Sequence, residues 1–240
     1  MLKNPVLCAI DTTDLDEAVE LAASLKDIVG GIKLGLEFFV ANGPEGVKEV
    51  VGYGTKDPIP FFLDLKLHDI PKVIGGSVAT IAELGAFMTT VHASAGKDGL
   101  QAASDAAREY AIKYRKEKML IMGVTVLTSM DDEDVEALGI SDVNSQVARL
   151  AGLAKESGVD GCICSSHEIG RIRDDFGSQL KLAVPGIRPH GSGTHDQKRI
   201  MTASAALDLG ADYLVVGRPI TEADDPVAAA KALIADLSRE

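Results

Sequence analysis

The sequence predicts an α/β fold, a single (β/α)8 TIM barrel over residues 1–240, and three observations carry that expectation. Eight short apolar runs alternate with helical patterns, one unit every roughly 30 residues, which is the rhythm of a closed barrel of parallel strands. Hydrophobic residues make up 46% and aromatics only 4%, with no Trp, so the interior is aliphatic, as suits strands buried on both faces. The charges that interrupt the apolar runs gather at the run ends, where such barrels build their sites. No second domain is visible. An open doubly wound sheet is the alternative, but no G-x-G-x-x-G follows the first run to support it.

The first run, VLCAI at 6–10, ends in Asp11. A Thr/Asp cluster then offers caps for a helix whose apolar face is Leu15, Ala18, Val19, Ala22 and Leu25. GIKLGL at 31–36 is the second run and holds Lys33. FFLDL at 61–65 is the third; Pro71 stops the ladder beyond it and can open the helix through Ile74, Val78, Ile81 and Ala82. AFMTTVH at 86–92 is the fourth, followed by a helix through Leu100, Ala103 and Ala107. MLIMGVTVL at 119–127 is the fifth, and an acidic insertion, DDEDVEAL, separates it from a helix through Val143, Val147, Leu150 and Ala154. DGCICS at 160–165 and LKLAVP at 180–185 are the sixth and seventh. After a Gly-rich segment, Ile200, Ala203 and Leu207 mark a helix, YLVVG at 213–217 is the eighth run, and Val227, Ala230, Leu233, Ile234 and Leu237 close the chain as a helix.

Charge and composition narrow the function. A formal net charge of −12 is a poor match to nucleic acid and offers no basic helix for a membrane surface, although two or three local cations suffice for a phosphorylated metabolite. No run approaches the length of a membrane span, and Met1 to Asp14 lacks the basic and apolar parts of a signal peptide, so a cytoplasmic protein is expected. Cys8, Cys162 and Cys164 lie in apolar runs and lack the further ligands a structural zinc site needs, so they read as buried small hydrophobes. The five His are scattered without an H-x-x-x-H pair and read as rim or surface residues; no metal site is expected.

One stretch asks for chemistry. FFLDLKLHDIPK at 61–72 carries Asp64, Lys66 and Asp69 in an apolar run, and an unpaired buried ion costs several kcal/mol. Strand alternation puts Asp64, Lys66 and His68 on one face and Leu63, Leu65 and Leu67 on the other. A structural ion pair is the bland explanation. Against it stands the company the pair keeps, because the run ends also present Asp11, Lys33, His92, Thr128, Arg188 and Arg218. Gly217 and Arg218 follow the eighth run where barrels of this class hold phosphate, the Gly allowing close backbone approach and the Arg bidentate contact. The loop after the seventh run, with Gly186, Gly191 and Gly193, is flexible enough to act as a lid and carries Arg188 and Gln197.

These residues resemble the orotidine 5'-monophosphate decarboxylase family along the whole chain: Asp11, IKLG around Lys33, DLKLHDIP at 64–71, VLTSM at 126–130, VPGIRP at 184–189, DQKRI at 196–200 and VVGRPI at 215–220. The resemblance implies loss of carbon dioxide from C6 of the pyrimidine to form uridine 5'-monophosphate in pyrimidine biosynthesis, without metal or organic cofactor. It implies Lys66 as proton donor, Asp64 near the departing carboxylate, and Lys33 and Asp69 completing an alternating charge array. It further implies ribose contacts from Asp11 and Lys33, a pyrimidine contact from Thr128, a phosphate site at Gly217 and Arg218 closed by the lid with Gln197, which bridges base and phosphate, and Arg188 among the substrate-binding residues. Asp69 and Ile70 would reach the partner subunit's site in a homodimer. The family usually continues I-P with Asn-Thr. Here Lys72 and Val73 stand instead, and a ribose hydrogen bond worth about 0.5–1.5 kcal/mol is expected to be missing.

Two rival readings make different predictions. The metal-dependent hexulose-phosphate synthases and ketogulonate-phosphate decarboxylases share D-x-K-x-x-D but carry Glu where this chain has Lys33, which removes a metal ligand. A non-catalytic nucleotide-binding barrel would bind uridine monophosphate without turnover, and has no use for an acid aimed at a substrate carboxylate.

Overall fold

Eight strands pair in chain order, each parallel to the next, and the eighth returns to the first to close a barrel. The structure is a computed structural model that describes residues 2–188 and 201–237. The strands are β1 Val6–Ile10, β2 Gly31–Gly35, β3 Phe61–Leu67, β4 Met88–His92, β5 Leu120–Val124, β6 Gly161–Ile163, β7 Lys181–Pro185 and β8 Tyr213–Val216. The helices between and beyond them are α1 Leu15–Leu25, α2 Leu36–Val51, α3 Pro71–Leu84, α4 Gly96–Tyr114, α5 Asp132–Glu136, α6 Val143–Glu156, α7 Ile169–Phe176, α8 Ala203–Asp208, α9 Arg218–Thr221 and α10 Pro226–Asp236.

Strand alternation sorts the apolar residues into two cores. Val6, Cys8, Ile32, Leu34, Leu63, Val91 and Leu214 face outward and pack under the helices. Leu7, Ala9, Phe62, Met88, Met122, Ala183 and Val215 fill the barrel itself, which is therefore a packed core and not a pore. The helices present the stripes their spacing predicts, with Ala18, Ala22 and Leu25 of α1 and Ile74, Val78 and Ile81 of α3 buried. Their starts are set by local chemistry. Asp14, Asp142 and Asp225 accept backbone N–H groups at the first turns of α1, α6 and α10, and Pro71 opens α3.

Two local readings need correction, those of the acidic insertion and of the strand ends, and two helices go beyond those the sequence marked residue by residue. Helices α2 and α7 carry apolar stripes the sequence reading did not single out, Val47, Val50 and Val51 in α2 and Ile169 and Ile172 in α7; α2 is also broken by a kink at Gly43 next to Pro44. The acidic insertion holds the short helix α5, capped by Asp131, whose side chain accepts the Asp134 N–H. The fifth strand stops at Val124 although apolar residues continue to Leu127, and the third runs on to Leu67. The helix expected through Ala203 and Leu207 is α8, and Ile200 lies outside the described residues.

The three cysteines are free and buried, and burial pushes the thiols of Cys8 and Cys162 up to about 12 and that of Cys164 well above its ordinary value. Among the described residues no helix is long and apolar enough to cross a membrane.

Candidate active site

The alternation that fills the barrel also aims the charged groups. Ala9 and Phe62 point inward, so Asp11 and Asp64, two residues on, project at the C-terminal mouth, as does Lys33 of β2, which pairs in register with both Ala9 and Phe62. Lys33 and Asp64 are each 9% exposed, so neither charge is kept by solvent alone. Lys33 Nζ lies 2.6 Å from Asp11 Oδ1, and Gly35 makes room for the pair: a Cβ there would stand 3.2 Å from both atoms.

Strand β3 departs from regular strand geometry where the second pair forms. The β3–β4 register shifts between Leu63 and Leu67, and Lys66 adopts φ 48°, a left-handed conformation that costs a side-chain-bearing residue about 1–3 kcal/mol. Its ammonium donates to Asp64 Oδ2 at 2.7 Å. From β4 the buried Thr90 hydroxyl donates to Asp64 Oδ1 at 2.8 Å and accepts the Lys66 backbone N–H at 2.9 Å. Asp64 and Lys66 share the inner face as alternation predicts, with Leu63, Leu65 and Leu67 on the outer one, and only His68 is corrected: it lies past the strand and stacks on His92 with ring centroids 5.2 Å apart. His92 is half-buried, and burial, then His68 and Lys66, hold its imidazole below the usual histidine range.

A cavity of about 560 Å³ opens at this mouth. Asp11, Lys33, Asp64, Lys66, Thr128, Arg188, Gly217 and Arg218 all line it, over a floor that includes Phe62, Val124, Ile163 and Val215. The volume lies in the range of small-molecule sites, and a mainly apolar floor with few convergent charges is their usual construction. The two pairs sit on the β1–β3 side; Arg188 follows β7, and Arg218 opens α9 directly after β8. Arg188 is buried; its Nη1 donates to the Ile187 carbonyl at 3.1 Å, and its Nε has no partner among the described residues. Burial, and then the neighbouring Arg218, hold its guanidinium below the ordinary arginine value, against the opposing pull of Glu222. Two guanidinium groups sharing a cavity wall suit an anion with several oxygens.

Not every expected residue meets there. Asp69 is exposed and spends Oδ1 on the N–H of Ile70 at 2.7 Å, Ile70 is 63% exposed, and neither lines the cavity. His92 also stands outside it. Gln197 lies outside the described residues. The residue that sequence reasoning missed is Thr90. It faces the barrel between Met88 and His92, and counting from inward-facing Met88 would have placed its hydroxyl at the level of Asp64. Among the described residues no group of three or more His, Cys, Asp or Glu side chains is placed to hold a metal ion.

Known proteins resemble the chain over nearly its full length. Residues 4–233 match the family described as "Orotidine 5'-phosphate decarboxylase / HUMPS family". The orotidine 5'-phosphate decarboxylase of Rhodospirillum rubrum is 47% identical over 238 residues, covering 99% of this chain and 95% of that protein. That of Paramagnetospirillum magneticum is 48% identical over 235 residues, covering 98% of each. The crystal structure of orotidine 5'-phosphate decarboxylase from Lactobacillus acidophilus superposes with a TM-score of 0.84 at 32% identity, covering 98% of this chain and 99% of that one.

Proposed function

The chain belongs to the orotidine 5'-phosphate decarboxylase / HUMPS family, and from that premise we propose how it works as an orotidine 5'-phosphate decarboxylase of pyrimidine biosynthesis. The observation that carries the reading is the Asp64–Lys66 pair, a carboxylate and an ammonium 2.7 Å apart at the floor of a cavity whose far wall is cationic. Breaking the bond between C6 and the carboxylate leaves an electron pair in the ring plane, where the π system cannot take it up. The site has to hold that charge electrostatically and then quench it.

In the proposed reaction the C6–carboxylate bond breaks, carbon dioxide leaves with no electrons from that bond, and the pair on C6 takes a proton from the Lys66 ammonium. Solvent then returns a proton to Lys66. Asp64 stands beside the departing carboxylate, so like-charge repulsion there is relieved as carbon dioxide forms, while Lys66 attracts the charge that develops. Lys33 and Asp69 extend the alternating charges, with Asp69 and Ile70 supplied by the partner of a homodimer. Asp11 and Lys33 hold the ribose, Thr128 the pyrimidine, Arg188, Gly217 and Arg218 the phosphate, and Gln197 bridges base and phosphate. No organic cofactor or metal enters this scheme. Its support is that Asp11 and Asp64 each already have an ammonium on one oxygen, the neighbour a divalent cation would repel.

Magnitudes say the pair does not work alone. One ammonium at about 4 Å contributes roughly 4 kcal/mol at an effective dielectric of 20, against about 8–23 kcal/mol for enzymes generally. The remainder falls to preorganised burial and to binding energy from the remote phosphate.

The test is the ultraviolet absorbance of orotidine 5'-monophosphate with the protein and a chelator, with Lys66→Ala in parallel. Loss of the orotate band with wild type alone is the expected result. Turnover by Lys66→Ala within about tenfold of wild type would remove the proton-donor assignment, since a donor in the transition state contributes about 10²–10⁴-fold. Activity only with magnesium and a hexulose phosphate would move the chain to the metal-dependent branch.

A further inference from the structure

We infer that Thr90 is a positioning residue of the decarboxylation site, setting the orientation of the Asp64 carboxylate and the backbone turn that delivers Lys66; the inference rests on the roles proposed above for that pair. A hydroxyl has one proton to give. The Thr90 oxygen accepts the Lys66 N–H at 2.9 Å, which leaves its own proton for Asp64 Oδ1 at 2.8 Å. Asp64 Oδ2 takes the Lys66 ammonium at 2.7 Å, so the carboxylate has a donor on each oxygen and little freedom to rotate. One side chain of β4 thereby ties together two residues of β3, at the point where the ladder between these strands breaks and Lys66 turns to φ 48°.

The geometry separates this role from packing and from ligand binding. Thr90 is fully buried and is not part of the cavity lining, so a bound nucleotide meets it only through Asp64 and Lys66. Its neighbour Thr89 supplies an internal comparison. Thr89 is equally buried, and its hydroxyl also crosses to β3, donating to the Leu63 carbonyl at 2.8 Å, but on the outer face, away from the charged pair. If buried hydroxyls here serve stability alone, the two threonines behave alike. If Thr90 aims the pair, only Thr90 controls the chemical step.

The experiment compares Thr90→Val, Thr90→Ser and Thr89→Val with wild type, reading kcat for orotidine 5'-monophosphate, the dissociation constant of uridine 5'-monophosphate, and the thermal midpoint. Valine keeps the shape and removes the hydroxyl; serine keeps the hydroxyl. Thr90→Val is expected to lose kcat by roughly 10- to 100-fold, the scale of a misplaced reacting group, with product affinity within about threefold of wild type. Thr90→Ser is expected to recover kcat to within about threefold, and Thr89→Val to keep kcat while its midpoint falls. Retention of kcat by folded Thr90→Val, an equal loss in Thr89→Val, or no recovery in Thr90→Ser overturns the inference. Should Thr90→Val not fold, Thr90→Ser against Thr90→Cys decides, because the thiol is a poor donor: equal kcat for the two overturns the inference, and serine-only activity upholds it. Lys66→Ala, run alongside, keeps the failures distinct. An active Lys66→Ala removes the underlying reading, whereas a dead Lys66→Ala beside a normal Thr90→Val removes only the role of Thr90.

Discussion

At the scale of single residues, the site is a problem of keeping like and unlike charges apart in a small volume. Asp11 and Asp64 each have a lysine on one oxygen, at 2.6 Å and 2.7 Å, so these two pairs are close to neutral before substrate arrives. The wall is different. Arg188 is buried, and its charge is disfavoured by burial and by Arg218, an arrangement that a phosphate dianion relieves. In the proposed scheme Arg218→Ala removes charge-assisted hydrogen bonds of about 1.5–3 kcal/mol, so KM for orotidine 5'-monophosphate is expected to rise roughly 10- to 100-fold with a smaller change in kcat. Steady-state kinetics decides it, and an unchanged KM removes Arg218 from the phosphate site. Most of these residues were legible in the sequence because a charge in an apolar run is conspicuous. Thr90 was not, since a threonine in a strand is ordinary and only its cross-strand partners give it significance.

At the scale of elements, strand ends decide what reaches the mouth, and the interior glycines decide how tightly the strands close. Gly161 opens β6, a strand of three residues, and a Cβ there would lie 2.1 Å from the Lys181 carbonyl oxygen of β7. Backbone cannot swing aside as a flexible side chain does. Gly161→Ala is therefore expected to destabilise the barrel by about 2 kcal/mol, read as a lower urea midpoint at unchanged slope. A variant as stable as wild type would mean that β6 and β7 separate at little cost. The elements that the sequence showed clearly are those with regular apolar spacing, such as α1 and α3. The bulge of β3 did not show, because it depends on pairing with β4 more than on the strand's own periodicity.

At the scale of the whole molecule, one barrel does not bring every expected group to its own cavity. Asp69 and Ile70 turn outward beside Val73, leaving Ile70 63% and Val73 44% exposed at the start of α3. That arrangement supports the proposed homodimer in which each subunit completes the other's site. A two-fold dimer of this kind makes a distinctive prediction. Lys66→Ala and Asp69→Ala dimers, each nearly inactive alone, are expected to regain about a quarter of wild-type activity after dissociation and mixing, because half of the dimers are then mixed and each mixed dimer has one intact site of two. Absence of recovery, with mixed dimers demonstrated by mass, would place Asp69 in its own subunit's site or outside the chemistry.

The sequence by itself determined the alternation of strand and helix, the aliphatic composition of both cores, and the presence of charges at strand ends, because these follow from periods of two and 3.6 residues and from the cost of burying a charge. Strand alternation also put Asp64 beside Lys66, but only the tertiary structure decided how that pair is held and which other charges join it. The Lys66 backbone takes a left-handed turn held by a hydroxyl 24 residues away, and whether Asp69 faces its own cavity depends on where β3 ends and α3 begins. Such facts arise from the closure of the barrel, which sets the register between neighbouring strands through contacts that no local stretch of sequence contains.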